Sequence, residues 1–215
     1  MVNSMDIIGM FRQMLFSLIP DNLEKQMKKK GTLKDGAMYI ILSSLFIALL
    51  AIVLIFVEIL TAGALGTFGD EFTADLITGE LIIFMIPLII ILVPIIYLIL
   101  NLILSGLGYL GCRILGGTGE FENHFYQFAI PGSGLLIIEG ILNYIPYLGD
   151  IATIILGLYF IYITFLIYKG IHKLSNIRAG FLAVLPAILL LLLVILAVLF
   201  FSYFMISEVS QPMLV

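Results

Sequence analysis

The chain has 215 residues, of which 62% are hydrophobic and 11% are charged. A soluble globular domain is about half apolar and about a quarter charged, so this composition excludes a soluble domain and indicates an integral membrane protein. The net charge of −4 averages over segments of opposite sign, and nothing in their arrangement indicates a nucleic-acid partner. The single cysteine, Cys112, excludes an intrachain disulfide and is expected to be a packing residue.

Residues 1–36 are expected to form a cytosolic amphipathic helix followed by a basic juxtamembrane stretch. Apolar residues recur on one helix face, at Ile7, Met10, Phe11, Met14, Leu15 and Leu18. Asp6 and Arg12 interrupt any signal-peptide core. Pro20 ends the helix, and the residues that follow are basic (Lys25, Lys28, Lys29, Lys30 and Lys34). We expect the helix to lie in the membrane interface near anionic headgroups; the alternatives are that it docks a partner or that its stripe packs beneath the bundle.

Five apolar runs predict transmembrane helices at about 37–60, 81–112, 125–142, 151–168 and 181–205, with 206–215 as a short outer tail. The second run is longer than a hydrocarbon core of ~30 Å requires, so Pro87 and Pro94 predict a kink or a tilt. Its inner half carries small residues that let another helix approach closely (Ser105, Gly106, Gly108 and Gly111). The predicted fold class is therefore all-α: a polytopic bundle of five transmembrane helices with an N-terminal interfacial helix.

The charges predict the orientation of these helices. Lys and Arg occur before the first run and in the second and fourth loops (Arg113, Lys169, Lys173 and Arg178), whereas the first loop region carries only acids (Glu58, Asp70, Glu71, Asp75 and Glu80). Positive charge near span ends stays cytoplasmic. We therefore expect a multi-pass protein of the cell membrane with a cytoplasmic N-terminus and an outer C-terminus.

No residue pattern predicts an enzyme. Asp150 follows Gly149, as in intramembrane aspartyl proteases, but no second aspartate lies within a span, so we expect Asp150 to be a helix N-cap. Ser133 lies in a Gly-Ser-Gly sequence, but a serine nucleophile needs a base within hydrogen-bond reach. The two histidines, His124 and His172, are expected in loops at the cytosolic surface. The sequence thus predicts no catalytic residue.

The sequence also predicts no metal ion and no cofactor. Cys112, His124, His172, Glu120 and Glu122 all map to the cytosolic side, but their spacing matches no metal-ligand motif. The glycine-rich loop at Gly116 lacks the lysine and the Ser/Thr of a phosphate-binding loop. We interpret this loop as a turn.

Glu139 is the one acid well inside a predicted span. An intramembrane carboxylate is by default a functional hypothesis. Glu139 lies only four residues from Asn143, near the outer interface, so a structural role beside Asn143 or a tyrosine hydroxyl is the alternative to ion or proton passage. The second span adds only Asn101.

In order along the chain, these features resemble the YIP family, the Rab-interacting multi-pass membrane proteins and their bacterial and archaeal relatives. The resemblance rests on residues spread over nearly the whole chain: Gly116, Gly117, Gly119, Phe121, Phe125, Ala129, Pro131, the turn Ile145–Gly149, the run Leu174–Ala179, and Leu185 with Pro186. It implies a five-helix bundle with a cytosolic N-terminus. The eukaryotic N-terminal motif Asp-Leu-Tyr-Gly-Pro is absent, so the chain resembles a prokaryotic member and Rab binding is not carried over.

The expected function is that of a non-enzymatic scaffold, membrane-organising or partner-binding module. Its expected partners are the lipid bilayer, with anionic headgroups at the basic face, and other membrane proteins or further copies of itself. The alternative is a small transporter or channel subunit that uses Glu139, Asn101 and the proline-containing helices. A transporter needs a polar cavity near the membrane midplane, whereas a solid apolar bundle would exclude one.

Overall fold

A computed structural model describes the backbone of residues 7–64, 79–145 and 147–209. These residues form seven helices and no strand: α1 (Ile7–Phe16), α2 (Pro20–Met27), α3 (Leu33–Ala64), α4 (Gly79–Ile114), α5 (Phe121–Leu142), α6 (Leu148–His172) and α7 (Asn176–Val209). The last five are long and apolar enough to cross a membrane. This confirms the predicted all-α membrane bundle with five candidate spans, each lying within one of α3 to α7. Asp6, Asp70, Glu71, Asp75 and Pro146 lie outside the described residues, as do the side chains of Glu58 and Glu80.

Helix α5 is the centre of the bundle. It packs against α3, α6, α4 and α1, and 56% of the residues in its most apolar 18-residue stretch are buried. The corresponding fraction is 11% for α4 and for α7, which carry mainly large apolar side chains on their surfaces, as expected for helices that face lipid. The chemistry of the interior is therefore largely the chemistry of α5.

The two ends of the bundle differ in charge. The basic end is where α3 and α5 begin and where α4 and α6 end, near Lys30, Arg113 and Lys169. The acidic end is where α5 ends and α6 begins, near Glu139 and Asp150. The halves of the bundle next to these ends are the basic half and the acidic half.

The helices continue through their prolines. Pro87 and Pro94 lie inside α4, Pro131 lies inside α5 and Pro186 lies inside α7. Each proline removes one backbone donor and so leaves a carbonyl one turn earlier without its helical partner.

The small residues of α4 are used mostly within the bundle. A Cβ atom on Gly108 would lie 2.5 Å from the Tyr168 hydroxyl, and one on Gly111 would lie 2.6 Å from Leu182 Cδ1. Ser105 is buried. Gly106 alone among these four faces open space, since a Cβ atom there would meet no atom within 4 Å. The small residues therefore let α6 and α7 approach α4 closely at the basic end.

Helix α1 packs on the flank of the bundle. A Cβ atom on Gly134 would lie only 2.6 Å from the Met14 carbonyl oxygen. Gly134 is 13 residues beyond the start of α5. At 1.5 Å per residue this contact lies about 20 Å from the basic end of that helix. Met10 and Met14 are therefore buried by other helices of the protein, as in the alternative in which the apolar stripe packs against the bundle. However, α1 lies about halfway along α5 and not beneath the bundle.

Polar side chains attach the N-terminal helices to α3 and α5. Gln127 donates from its amide to the carbonyl oxygens of Gln26 at 3.1 Å and Lys29 at 2.7 Å. Gln26 donates to the Tyr126 hydroxyl at 3.0 Å, and Tyr39 donates to Gln13 Oε1 at 2.6 Å. These buried and partly buried bonds pair the backbone carbonyls of Gln26 and Lys29 and the amide nitrogens of Gln26 and Gln127, which would be costly to leave unpaired in an apolar interior.

Candidate functional site

A cavity of about 310 Å³ lies between α3, α4, α5 and α6, towards the acidic end. This volume is within the range of small-molecule sites, roughly 300–1,000 Å³. Its walls are largely apolar, from Ile40, Leu135, Leu136, Leu156 and Phe160. Six of the lining side chains carry polar atoms: Ser43, Tyr97, Asn101, Ser133, Glu139 and Thr153. The bundle is therefore not solid, and its cavity is amphipathic.

Glu139 supplies the carboxylate of the cavity. Its Oε1 lies 3.2 Å from the Thr153 hydroxyl, which also lies 3.3 Å from Asn143 Oδ1. A hydroxyl has one proton, so Thr153 can donate to only one of these two oxygens at a time. Among the described residues the one ion pair joins Lys30 to Glu120 at the basic end, so no described cation neutralises Glu139.

Ser133 places a buried hydroxyl in the wall of the cavity. The residue is only 3% exposed, and its Oγ has no hydrogen-bond partner among the described residues. The side-chain nitrogen of Asn101 donates to the Tyr97 carbonyl at 2.9 Å. This bond does not involve the side-chain oxygen of Asn101. Buried polar groups are normally paired. Five other buried polar atoms of the described residues also lack a partner, but Ser133 is the one residue of this group that lines the cavity, so its hydroxyl indicates a site that a polar ligand can complete.

The cavity borders a shallower concavity at the acidic end. Glu139 and Thr153 line both, and the outer one adds Asn143 and Asp150. The expected N-cap role of Asp150 is wrong: α6 begins at Leu148 after Tyr147, and Asp150 lies exposed in the first turn. A carboxylate in the first helical turn still interacts favourably with the helix dipole. Here it adds negative charge to the outer concavity, which forms the mouth of the cavity.

The histidines lie in the core at the basic end and not in surface loops. His124 is 0% and His172 is 1% exposed, and His124 Nδ1 lies 2.9 Å from His172 Nε2. One of the two nitrogens must carry the proton that forms this bond. His124 occupies the first turn of α5 and His172 is the last residue of α6, so the pair joins these helices at the basic end.

Aromatic rings surround the histidine pair and close the interior on this side. Phe160, in the cavity wall, packs edge-on against Phe128 with ring centroids 5.3 Å apart. Phe128 and Tyr168 stack against the His124 ring at 5.5 and 5.8 Å. We call these residues, with His172, the closing layer. A set of rings in mutual contact thus lies between the cavity wall and the histidine pair.

The glycine-rich loop covers the closing layer. Gly116 has a φ of 91°, and the Thr118 amide donates to the His172 carbonyl at 3.2 Å. A Cβ on Gly119 would lie 2.8 Å from His172 Nδ1, and one on Gly117 would lie 2.9 Å from His172 Cβ. The loop is a turn, as predicted, and its glycines permit this close approach to His172.

The structure separates the residues first considered for chemistry. Ser133 and His124 lie nine residues apart on α5, or about 14 Å along the axis, too far for a direct hydrogen bond. Cys112 is fully buried in an apolar cluster. No group of three or more His, Cys, Asp and Glu side chains in the described part of the chain is arranged to hold a metal ion.

Sequence reasoning missed the histidine pair and the depth of α1. A usable signal for the pair was its position: the end of α6 and the start of α5 meet at one end of the bundle, so His124 and His172 had to lie at similar levels. A weaker signal for the position of α1 along α5 was Gly134, because a glycine lets the backbone of another helix approach closely.

The described helices and cavity define an all-α, multi-pass membrane protein with an amphipathic interior site. A family model for the Yip1 domain matches residues 23–199, which include the last five residues of α2, all of α3 to α6 and most of α7, but not α1. The chain belongs to the Yip1 family. Neither a curated protein nor a solved structure matches it.

Proposed function

We propose that this Yip1-family protein is a non-enzymatic binding module of the membrane and that its ligand occupies the cavity in the acidic half. The observation that carries the proposal is the position of Ser133: it lines the cavity, and its buried hydroxyl has no partner among the described residues. A purely structural cavity would be expected to be lined by apolar groups, since an unpaired buried polar group costs about 1–3 kcal/mol.

Scaffolding through the small residues of α4 is the less favoured form of this function. Gly108 and Gly111 already contact Tyr168 and Leu182, so they offer little surface to a further helix. The open side of the cavity is a better site for a membrane partner, because Thr153 and Gly157 are exposed there.

Occupancy of the cavity can be tested with a tryptophan reporter, since the chain contains no tryptophan. We would place Trp at Leu156, in the cavity wall, or at Leu158, which is 65% exposed. The reporter proteins, in lipid nanodiscs, are titrated with alkyl amphiphiles that carry a terminal bromine. Saturable quenching of L156W well below the concentration that quenches L158W would support the proposal; equal quenching of the two would contradict it.

Two glycines provide a matched pair of blocking variants. A Cβ on Gly157 or on Gly106 would meet no atom within 4 Å, so leucine can be accommodated at both positions, but only Gly157 lines the cavity. We expect G157L to remove the selective quenching of L156W and G106L to preserve it. Equal effects of the two variants would show that the quenching does not report on the cavity.

We further propose that the protein lies in the cell membrane with its basic end and N-terminus on the cytoplasmic side and its C-terminus outside. The support is the distribution of Lys and Arg in the sequence. The basic end would then face anionic headgroups of the inner leaflet, where each exposed Lys or Arg contributes about 1 kcal/mol of attraction.

The second candidate function is a small transporter or channel subunit. It is favoured by the polar lining of the cavity, especially Asn101 and Glu139, because transporters bind substrates in polar cavities near the midplane. Passage would require the closing layer of Phe128, Phe160, Tyr168, His124 and His172 to open. Uptake of a cationic solute into proteoliposomes that is abolished by G157L and retained in G106L would favour this candidate over a binding module.

A further inference from the structure

We infer that the cavity binds the ammonium group of an amphiphilic amine that carries no phosphate or other anion. The inference rests on the proposed binding function and names the chemical class of its ligand. The ammonium group would lie against the Glu139 carboxylate, and the hydrocarbon chain would extend along the apolar walls towards the middle of the bundle.

The charge of the ligand follows from the charges around the cavity. Glu139 lies in the cavity wall and Asp150 at its mouth, and no Lys or Arg is among the residues that line either concavity. A carboxylate in a partly apolar environment is stabilised by an opposite charge, and charge-assisted hydrogen bonds are about twice as strong as neutral ones. An anionic or phosphate-bearing ligand would instead meet two carboxylates with no cation.

The shape of the ligand follows from the order of groups along α5. Glu139 lies six residues beyond Ser133, or about 9 Å along the helix axis. Between these levels the wall is formed by Leu135 and Leu136 from α5 and by Leu156 from α6. A ligand with its ammonium at Glu139 therefore places its chain on apolar side chains, and a hydroxyl or carbonyl about 9 Å from the nitrogen would pair with Ser133 Oγ.

The route of access fits a molecule that partitions into the bilayer. The cavity is bordered by exposed residues of α6, Thr153 and Gly157. Nearby residues of the same helix, Ile154 and Leu158, are exposed large hydrophobics of the kind that face lipid. An amphiphile lying in the membrane with its head near the interface would meet this opening with the same orientation that the cavity requires.

The L156W reporter distinguishes ligand classes when the bromine-tagged probes share one chain length. We compare an alkylamine, an alkanol and an alkyl sulfate with the full-length protein in phosphatidylcholine nanodiscs. We expect half-maximal quenching by the amine at about tenfold lower concentration than by the alkanol, with the sulfate weakest. In E139Q the preference for the amine should disappear while quenching by the alkanol is unchanged.

Glu122 gives a matched control, because it is an exposed carboxylate on α5 at the basic end. E122Q should retain the full preference for the amine. Equal quenching by amine and alkanol, or a preference that survives E139Q, would overturn the inference and leave the binding module intact. If no probe quenches L156W selectively, the proposed function fails as well.

The two possible sources of an ammonium group are also distinguishable. Phosphatidylethanolamine with bromine-tagged chains supplies the ammonium with a phosphate, whereas the alkylamine supplies it alone. We expect the lipid to quench L156W no more than bromine-tagged phosphatidylcholine does. Selective quenching by the ethanolamine lipid would overturn the restriction to phosphate-free amines.

Discussion

Helix α5 passes through two different environments. At the basic end His124, Phe125 and Gln127 are at most 1% exposed, and Gln127 and His124 make buried hydrogen bonds to neighbouring segments. At the acidic end Glu139 is half-buried beside a cavity, and Ser133, near the middle, has no partner among the described residues.

The different environments of α5 at the two ends of the bundle distinguish polar groups that hold helices together from polar groups that are available to a ligand. In the basic half, Gln127 and the histidine pair make hydrogen bonds that join α2, α5 and α6. Several buried polar atoms of this half still have no partner among the described residues, namely Asn123 Oδ1, His124 Nε2, Gln127 Oε1, Thr164 Oγ1 and His172 Nδ1, but none of these residues lines the cavity. In the acidic half, Ser133, Glu139 and Asn101 line the cavity, where another molecule can lie against them. Substitutions should therefore reduce stability in the basic half and binding in the acidic half.

The largest expected effect concerns the two sides of the membrane, because labelling is all or none. Cysteine substitutions at Thr73 and Gln211 should react with an impermeant thiol reagent added outside the cell, whereas substitutions at Lys29 and Asn176 should not. The native Cys112 is fully buried and should remain silent. Outside labelling at Lys29 or Asn176 would refute the proposed orientation.

The next largest effect is expected from G134L. The Gly134 Cβ position faces the Met14 backbone at 2.6 Å, which cannot move without displacing α1, and overpacking of this kind costs about 1–3 kcal/mol. We expect a lower thermal unfolding midpoint by circular dichroism in detergent and loss of hydrogen-exchange protection in residues 7–18. G157L, whose side chain enters open space, should change neither.

Rapid exchange of residues 7–18 in the unaltered protein in a bilayer would contradict the packing of α1 on α5. It would also remove the reason for expecting G134L and G157L to differ.

The histidine pair should show strong coupling. H172L leaves His124 Nδ1 buried without its partner, at a cost of about 1–3 kcal/mol, and H124L does the same to His172 Nε2. The double variant removes both polar groups and should be less destabilised than the sum of the two single variants. Additive losses of stability would show that the 2.9 Å contact contributes little.

The sequence was sufficient for the fold because the apolar runs are long and are separated by polar or glycine-rich segments. Gly116 and Gly117 predict the turn between α4 and α5, and the structure confirms it. The histidine pair and the cavity depend on contacts between helices separated by tens of residues, such as His124 with His172. Single-sequence periodicity identifies the buried face of a helix but not which helix covers it, so these features required the structure.

Glu139 illustrates both outcomes. Its place near the end of a span could be predicted, and one suggested partner, Asn143, shares the Thr153 hydroxyl with it. The cavity beside it was not predictable, because the gap arises from the spacing of four helices. A solid bundle would exclude a site for a solute, and the sequence did not show whether the bundle is solid. The structure contains the cavity, so the bundle is not solid.

The smallest expected effect on stability is that of S133A, and it gives the sharpest comparison between the two kinds of polar group. Ser133 Oγ has no described partner, so its removal breaks no described hydrogen bond and should not lower the free energy of unfolding. S17A is the matched control, because Ser17 is equally buried and its hydroxyl donates to the Met14 carbonyl at 2.7 Å. Loss of that bond should cost about 1 kcal/mol.

Binding should show the opposite order. S133A should weaken quenching of L156W by an amine probe that carries a hydroxyl about 9 Å from the nitrogen, the level difference between Glu139 and Ser133 at 1.5 Å per residue. It should leave quenching by the simple alkylamine unchanged, and S17A should affect neither probe. If S133A lowers stability as much as S17A and does not discriminate between the probes, the Ser133 hydroxyl is a structural group, and the division between the two halves of α5 does not hold at this residue.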